Sequence, residues 1–260
     1  MRWQAPRGMH DILPPEVARW QAVEGRIRDL ARRYGYQEIR TPVVEHTEVF
    51  QRGIGEGTDI VEKEMYTFTD RGGRSLSLRP EGTAAVMRAY LERGMSGWPQ
   101  PVKLYYIAPI FRYDRPQKGR YRQHHQFGAE VIGSPHPAAD AEVLSLPIRL
   151  MQDLGLTHVE VHLNSVGDPQ CRPAYIAALR EYFGRHLSDL CEDCRRRYDI
   201  NPLRILDCKV DGCRRVAREA PPIFPYLCDA CRAHFEGVQR HFSWLGIPYA
   251  VDASIVRGLD

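Results

Sequence analysis

Residues 102–132 read VKLYYIAPIFRYDRPQKGRYRQHHQFGAEVI, and this stretch decides the fold. Two apolar and aromatic runs, Val102 to Tyr113 and Arg120 to Ile132, flank the polar segment Asp114 to Gly119. Strand-like runs around a polar segment that contains proline and glycine are typical of a β-hairpin. The sequence therefore predicts a long antiparallel hairpin with a basic loop.

Helices and shorter strands are predicted on both sides of this hairpin. Apolar residues recur every three to four positions after Pro14 and stop at Gly35, a spacing that predicts an amphipathic helix. A strand is expected over Tyr36 to Val44, with Pro42 at an edge or an interface because proline has no N–H to donate. Further elements are predicted as helices over Ala138 to Leu154 and Pro173 to His186, and as a strand around Val159 to Leu163. Strands outnumber crossover helices, which favours an α+β fold with an antiparallel sheet flanked by helices.

Composition excludes few classes of protein. The chain has 260 residues, 43% of them hydrophobic, and a net charge of only +3, so no overall field demands a nucleic-acid partner. No apolar run approaches the roughly 20 residues that a membrane span requires, and the N-terminus has no secretory signal pattern. We therefore expect a cytoplasmic protein with no membrane partner.

The cysteines mark a separate region. Six of the seven lie between Cys191 and Cys231, and an odd, clustered set favours a metal site over disulfides. Two CxxC pairs predict one structural Zn²⁺ held by Cys191, Cys194, Cys228 and Cys231. Two alternatives remain open: Cys208 and Cys213 are competing ligands, or the thiols simply pack in a core. The composition changes near residue 187, so residues 187–235 are predicted to form an inserted cysteine-rich module.

The hairpin loop carries the strongest functional signal. Five cations lie within it or beside it, and they predict an anionic ligand: Arg112, Arg115, Lys118, Arg120 and Arg122. The alternative is a solvated basic turn. The next strand favours a site, because Gln126, Gly128 and Glu130 would present an amide, a gap and a carboxylate on one face.

These residues also carry a family resemblance. Phe111 to Gln123 resembles motif 2 of the class II aminoacyl-tRNA synthetases in its histidyl-specific form. Arg7 to Asp11, Leu78 to Thr83 and Arg257 to Asp260 resemble further segments of the histidyl-tRNA synthetase family. The first helix and the Pro42 strand resemble motif 1, which builds the dimer interface in this class. The chain is thus similar to this family over essentially its whole length.

The resemblance implies an aminoacyl-tRNA ligase that uses ATP and Mg²⁺ to activate histidine and charge tRNA(His), as a homodimer. It implies a class II core with motifs 1 and 2 in residues 1–186, the cysteine-rich insertion in residues 187–235, and a return to the core in residues 236–260. On this basis the chain ends before motif 3 and the anticodon-binding domain. We therefore expect residues 1–260 alone to turn over slowly.

Roles follow position by position from the resemblance. Arg112 and Arg257 are the expected catalytic residues, on opposite sides of the α-phosphate of ATP. The expected histidine-binding residues are Glu81, Thr83, Arg112, Gln126, Glu130 and Arg257, with Glu130 facing the imidazole. The expected ATP-binding residues are Arg112, Asp114, Arg120 and His124, and Arg115 and Gln117 are expected to contact tRNA. Two positions depart from the family: Asp114 replaces a usual glutamate, and His124 replaces the phenylalanine that stacks on adenine.

Two other classes of function are possible. One is a synthetase-like regulatory subunit that senses histidine without charging tRNA. Arg112, Gln117, Arg120 and Arg257 argue against it, because a sensor needs no residues that bind the phosphates of ATP. The other is a zinc-dependent interaction module, which would leave the basic hairpin unexplained.

Overall fold

A computed structural model describes residues 3–55, 58 and 60–256. These residues form two compact units, each with its own core. The first contains the residues up to Pro135 together with Val143–Thr157, and the second contains His136–Glu142 and the residues from His158 onward. Within the described residues, no helix combines the length and the apolar character that crossing a bilayer requires.

The first unit is an α+β structure. Its helices are α1 (Glu16–Arg33), α2 (Thr47–Ile54), α3 (Thr83–Glu92) and most of α4 (Pro137–Asp153). Its strands are β1 (Gln37–Glu38), β2 (Val44–His46), β3 (Tyr66–Thr69), β4 (Ser75–Leu78), β5 (Val102–Phe111) and β6 (Gln123–Ile132). The strands make two three-stranded sheets, in the orders β1-β5-β6 and β2-β4-β3. All pairs are antiparallel except β1 with β5.

The predicted helices after Pro14 and over residues 138–154 are confirmed by α1 and α4, and both are held by one core. Ile27, Leu30 and Ala31 of α1 pack with Tyr105 of β5 and Leu146 of α4. All five are nearly or fully buried. The apolar spacing of α1 is therefore explained by burial against the sheet.

The single strand predicted over residues 36–44 is wrong. The segment contributes β1 to one sheet and β2 to the other, and Pro42 lies between them in neither strand. Proline cannot donate to a ladder, so the chain leaves the first sheet before Pro42. The buried Arg79 binds this break, because its guanidinium donates to the carbonyl of Thr41 at 2.9 Å.

The predicted hairpin is confirmed, and its register places the polar residues. Tyr106 lies opposite Gly128, Ala108 opposite Gln126, and Leu104 opposite Glu130. The gap expected at Gly128 is filled, however, by the ring of Tyr106. A Cβ added at Gly128 would lie 2.2 Å from the ring carbon Cζ, and one added at Gly82 would also lie 2.2 Å from it. The two glycines are thus required by close packing on both edges of one ring.

The second unit consists mainly of short helices. It contains β7 (His162–Leu163), α5 (Arg172–Gly184), α6 (Glu192–Ile200), α7 (Asp211–Arg218), α8 (Asp229–Trp244) and β8 (Ala250–Val251), with 3-10 turns between them. Strands β7 and β8 pair in parallel. Its core is formed by apolar side chains and by cysteines. The predicted module boundaries at 187 and 235 fall inside this unit, and the insertion stays a prediction.

The packing of Tyr106 predicts a specific sensitivity. We expect Gly128→Ala to lower the free energy of unfolding by about 1–3 kcal/mol, the usual cost of overpacking a filled core. Gly25→Ala in α1 is the matched control, because the added methyl would meet nothing within 4 Å. It should stabilise the helix by about 0.5–1 kcal/mol. Urea denaturation of both variants measures this, and equal stability of the two would contradict the packing argument.

Candidate active site

The start of helix α3 is held by an acidic side chain. Glu81 is buried, and its two carboxylate oxygens accept hydrogen bonds from the backbone N–H groups of Thr83 and, at 2.9 Å, Ala84. These N–H groups have no partner inside the helix, and the positive end of the helix dipole favours a carboxylate there. Glu81 is therefore fixed in place by the backbone of its own helix.

Thr83 links this helix to the hairpin. Its hydroxyl donates a 2.7 Å hydrogen bond to Oε1 of Glu130 on β6. Burial raises the pKa of Glu130, and the Thr83 hydrogen bond opposes that rise. Burial, followed by the charge of Glu130, also raises the pKa of the neighbouring Tyr106 to about 12. Glu130 is thus a poorly solvated carboxylate that one hydroxyl orients.

Gln126 offers an acceptor that is not yet used. Its Oε1 is buried and has no hydrogen-bond partner among the described residues. A buried polar atom of this kind is costly to leave unpaired, and native proteins seldom keep one without a reason. Gln126 and Glu130 are four residues apart on one face of β6, or roughly 13 Å along the strand. A small ligand with a donor at each end would fit between two side chains so placed.

Arg112 lies at the loop end of the same hairpin, directly after β5. Its Nε donates to the carbonyl of Pro80 at 2.7 Å, and its backbone N–H donates to the carbonyl of Arg122 at 2.9 Å. Its two terminal amino groups have no partner in the part of the chain that the structure describes. Burial, and then the charge of Arg112, lowers the pKa of His124 on β6. The site therefore has a positioned guanidinium beside an imidazole that stays neutral.

The loop beyond Arg112 is braced internally. Asp114 pairs with Arg120 through Oδ2 and Nε at 3.0 Å. Gln117 and Arg120 exchange backbone hydrogen bonds across the turn. The side chains of Arg115 and Gln117 are exposed. The loop thus presents several exposed polar side chains, Arg115 and Gln117 among them, and one ion pair that a ligand could exchange for its own charges.

Two supports of the loop were not expected from the sequence. The guanidinium of Arg122 stacks on the ring of Tyr113, with Cζ 3.7 Å from the ring centre. The N–H of Arg122 donates to the carbonyl of Gly8 at 2.7 Å. The conspicuous segment Arg7 to Asp11 therefore packs on the hairpin. Tyr106 was also missed, although the glycines at positions 82 and 128 were a signal that a ring lies close.

The predicted histidine-binding and ATP-binding residues that the structure describes lie in two parts of the first unit. Glu81, Thr83 and Glu130 are brought together at the start of α3, and Gln126 lies on the same face of β6 as Glu130. Arg112, Asp114, Arg120 and His124 lie at the loop end of the hairpin. Arg257, with the segment up to Asp260, lies outside the described residues. Its catalytic and histidine-binding roles therefore remain predictions.

The zinc site predicted from the two CxxC pairs is not the arrangement found. Cys191 and Cys194 group with Cys208 and Cys213, whereas Cys228 and Cys231 group with Asp168 and Cys171. The two pairs begin different helices, α6 and α8, and each meets a different partner segment. Spacing alone could not show which pairs meet. The signal that was missed is the spacing of Asp168 and Cys171, which equals that of a CxxC pair.

Comparisons with known proteins agree on one family. Residues 8–168 match a family model described as histidyl-tRNA synthetase. A protein of Desulforamulus reducens named histidine–tRNA ligase is 56% identical over 255 residues, which cover 98% of this chain and 61% of that protein. The crystal structure of apo histidyl-tRNA synthetase from S. aureus has a TM-score of 0.78 at 41% identity, and covers 99% of this chain and 59% of that chain.

A more distant structure shares the fold. It is described as an ATP phosphoribosyltransferase regulatory subunit/histidyl-tRNA synthetase from Bacillus halodurans, with a TM-score of 0.64 at 22% identity over 95% of this chain and 65% of that chain. The present chain thus spans about 60% of the length of the ligases that it matches.

The environment of Glu130 predicts a pH-dependent stability. Its pKa is raised in the folded state, so its contribution to stability is fully present below the ordinary carboxyl pKa and is lost as pH rises through the raised value. Glu130→Gln keeps an acceptor for Thr83 but has no charge to bury. We expect the thermal midpoint of this variant minus that of wild type to become larger as pH rises from about 4 to neutral. Glu62→Gln, at an exposed position, is the control. A difference that falls with pH would contradict the burial argument.

Proposed function

The chain belongs to the histidyl-tRNA synthetase family, and we propose that it forms the part of a histidine–tRNA ligase that binds histidine and ATP. The reaction proposed is attack of a histidine carboxylate oxygen on the α-phosphorus of ATP, with pyrophosphate leaving. The histidyl-adenylate formed then transfers its histidyl group to tRNA(His), with AMP as the leaving group. Within the protein, residues 1–186 are proposed as the catalytic core, 187–235 as an insertion and 236–260 as a return to the core.

The observation that carries this proposal is the buried, unpaired oxygen of Gln126 on the same strand face as Glu130. Histidine has a donor for each: its ammonium group can donate to Gln126, and its imidazole N–H can donate to Glu130. The Thr83 hydroxyl orients the Glu130 carboxylate toward one geometry. A carboxylate at that depth favours histidine over amino acids of similar size, because their side chains would give it no donor beyond the Thr83 hydroxyl.

Glu81 supports this site in a different way from the expected one. Its oxygens already accept two backbone hydrogen bonds at the start of α3. A carboxylate can accept further hydrogen bonds, since its two oxygens have about four lone-pair sites. We propose that Glu81 contributes negative charge near the ammonium group of histidine while it holds Thr83 in position.

Arg112 is the proposed catalytic residue among the described ones. Its Nε is held by the Pro80 carbonyl, so its terminal amino groups face a ligand in a fixed direction. Negative charge grows on the α-phosphate oxygens during the attack, and a guanidinium fixed beforehand stabilises that charge more than the ground state. Arg257 is proposed to act from the opposite side.

ATP is proposed to bind along the loop end of the hairpin. His124 is kept neutral by its surroundings, which suits stacking on adenine. Asp114 and Arg120 would hold the nucleotide by opening their ion pair toward it, and Mg²⁺ would arrive as the counterion of the ATP phosphates. Arg115 and Gln117, exposed on the same loop, are the proposed tRNA contacts.

A histidine-sensing subunit is the alternative. Such a subunit would also need Gln126 and Glu130 to bind histidine. It would not need a guanidinium fixed beside a phosphate. The position of Arg112 and the names of relatives at 56% identity therefore favour the ligase. The two functions separate in one assay, since a sensor binds histidine without exchanging pyrophosphate into ATP.

We propose a homodimer, because Val43 and Val44 expose apolar surface directly after Pro42, in the segment that resembles the dimer-forming motif. Strand β2 lies at the edge of its sheet, so a second copy of the chain could cover the two valines across a symmetric interface. Sedimentation velocity at tens of micromolar should give a dimer, and Val44→Asp should shift it toward monomer. A wild-type chain that sediments only as monomer would contradict the proposal.

The test of function is histidine-dependent exchange of labelled pyrophosphate into ATP, measured with each amino acid in turn. We expect Glu130→Ala to raise the KM for histidine about ten- to a hundredfold, the loss of a charge-assisted hydrogen bond of about 1.5–3 kcal/mol, with the KM for ATP little changed. Arg120→Ala is the matched variant and should raise the KM for ATP instead.

The assay should use residues 1–260, with the histidine–tRNA ligase of Desulforamulus reducens as the positive control. Exchange by residues 1–260 that is absent where the positive control exchanges, or that is faster with another amino acid, would contradict the ligase. Equal effects of Glu130→Ala on both KM values would remove Glu130 from the imidazole site.

A further inference from the structure

All seven cysteines of the chain lie in the core of the second unit and fall into two groups. Cys191, Cys194, Cys208 and Cys213 form the four-cysteine group, and Asp168, Cys171, Cys228 and Cys231 form the aspartate–cysteine group. In each group the candidate ligand atoms all lie within 4.8 Å of one another. No cysteine is left over, so the two groups account for every thiol.

The distances match a tetrahedral metal site. Sγ of Cys191 is 4.0 Å from Sγ of Cys208, and Sγ of Cys171 is 3.9 Å from Sγ of Cys231. Four sulfurs about 2.3 Å from a central zinc lie about 3.8 Å from each other, whereas a disulfide requires about 2.05 Å. The sulfurs therefore have the spacing of ligands around one ion.

The two groups repeat one local design. Cys191 precedes the first residue of α6 with φ −65° and ψ 163°, and Cys228 precedes α8 with φ −65° and ψ 162°. The second cysteine of each pair then lies in the first turn of its helix. Two helices with the same entry geometry and the same pair of cysteines indicate one function used twice.

The partner segments complete each group in a similar manner. In the four-cysteine group, Cys213 lies in the first turn of α7, and its sulfur accepts the N–H of Cys191 at 3.2 Å. In the aspartate–cysteine group, Cys171 precedes α5, and its sulfur accepts the N–H of Asp168 at 3.3 Å. Hydrogen bonds of this kind to ligand sulfurs are the usual outer support of a metal site.

Asp168 uses its two oxygens for different purposes. Oδ1 accepts the N–H groups of Gln170 and Cys171 at 2.9 and 3.0 Å, which fixes the carboxylate. Oδ2 lies 3.7 Å from the sulfur of Cys228. The carboxylate thus turns one oxygen to the backbone and the other to the thiols, as a monodentate ligand does.

Packing alone explains this arrangement less well. Buried thiols do behave as small apolar side chains, and several here are buried. Packing alone, however, does not require that a charged carboxylate lie beside three thiols. It also does not require that the other four thiols lie within 4.8 Å of one another.

We propose that the second unit binds two zinc ions, one in the four-cysteine group and one in the aspartate–cysteine group. Each ion has four protein ligands and no open position, which makes both sites structural. Thiolate-rich tetrahedral sites select zinc or iron among the common metals. The aspartate–cysteine site joins residues 168 and 171 to residues 228 and 231, so it closes the segment that contains the other site.

Metal content of the full chain, purified without chelator from zinc-supplemented cells, tests the proposal. We expect two zinc ions per chain, one after Cys208→Ser, one after Cys171→Ser, and none in the double variant. Ala230→Ser is the control, because it adds a hydroxyl inside the second pair and removes no ligand. A single ion held by Cys191, Cys194, Cys228 and Cys231 would instead survive both single substitutions.

Cobalt titration covers the case in which a variant does not fold. Wild-type chain freed of metal under reducing conditions should develop thiolate-to-cobalt charge-transfer absorption that saturates at two equivalents, and two equivalents of zinc should abolish it. Saturation at one equivalent, no such absorption, or iron in place of zinc would overturn the proposal of two zinc sites.

Discussion

The contact of the Tyr106 ring with Gly82 and Gly128 is the constraint on which the site of the first unit depends. The ring occupies the volume that a side chain at either glycine would need. Only this ring therefore separates the start of α3 from the middle of β6. This approach allows the Thr83 hydroxyl to reach Glu130 at 2.7 Å. A larger residue at either position would separate the helix from the strand and the hydroxyl from the carboxylate.

The polar groups around that contact are stabilised to different extents. The carboxylate of Glu81 accepts two hydrogen bonds from the α3 backbone, and Glu130, whose pKa is raised, accepts one from the Thr83 hydroxyl. The oxygen of Gln126 has no donor among the described residues. Such incomplete pairing costs stability and is expected where a ligand completes it. The same logic applies to the guanidinium of Arg112, which the Pro80 carbonyl fixes without neutralising it.

The sequence predicted what local patterns determine. Helix α1 and the β5–β6 hairpin follow from periodicity, and the row of Gln126 and Glu130 follows from the alternation of side chains along a strand. The division of residues 36–44 between two sheets was missed because Pro42 was read as an edge residue within one strand. The occupied gap at Gly128 was missed because a glycine records close packing but not the partner.

The cysteines illustrate the same limit at longer range. Their number and clustering indicated metal, yet which pairs meet depends on how α5, α6, α7 and α8 fold around each other. Spacing in the chain does not contain that information. Asp168 was not predicted as a metal ligand for a further reason: an aspartate before a helix is ordinarily interpreted as an N-cap residue.

The central claim is that β6 and the fixed Arg112 form one binding site for histidine. A crystal structure of the protein with histidine bound tests this most directly. We expect the imidazole at Glu130, the ammonium group within hydrogen-bond distance of Oε1 of Gln126, and the carboxylate toward the terminal amino groups of Arg112. Histidine bound elsewhere, or bound with Oε1 of Gln126 still unpaired, would contradict it.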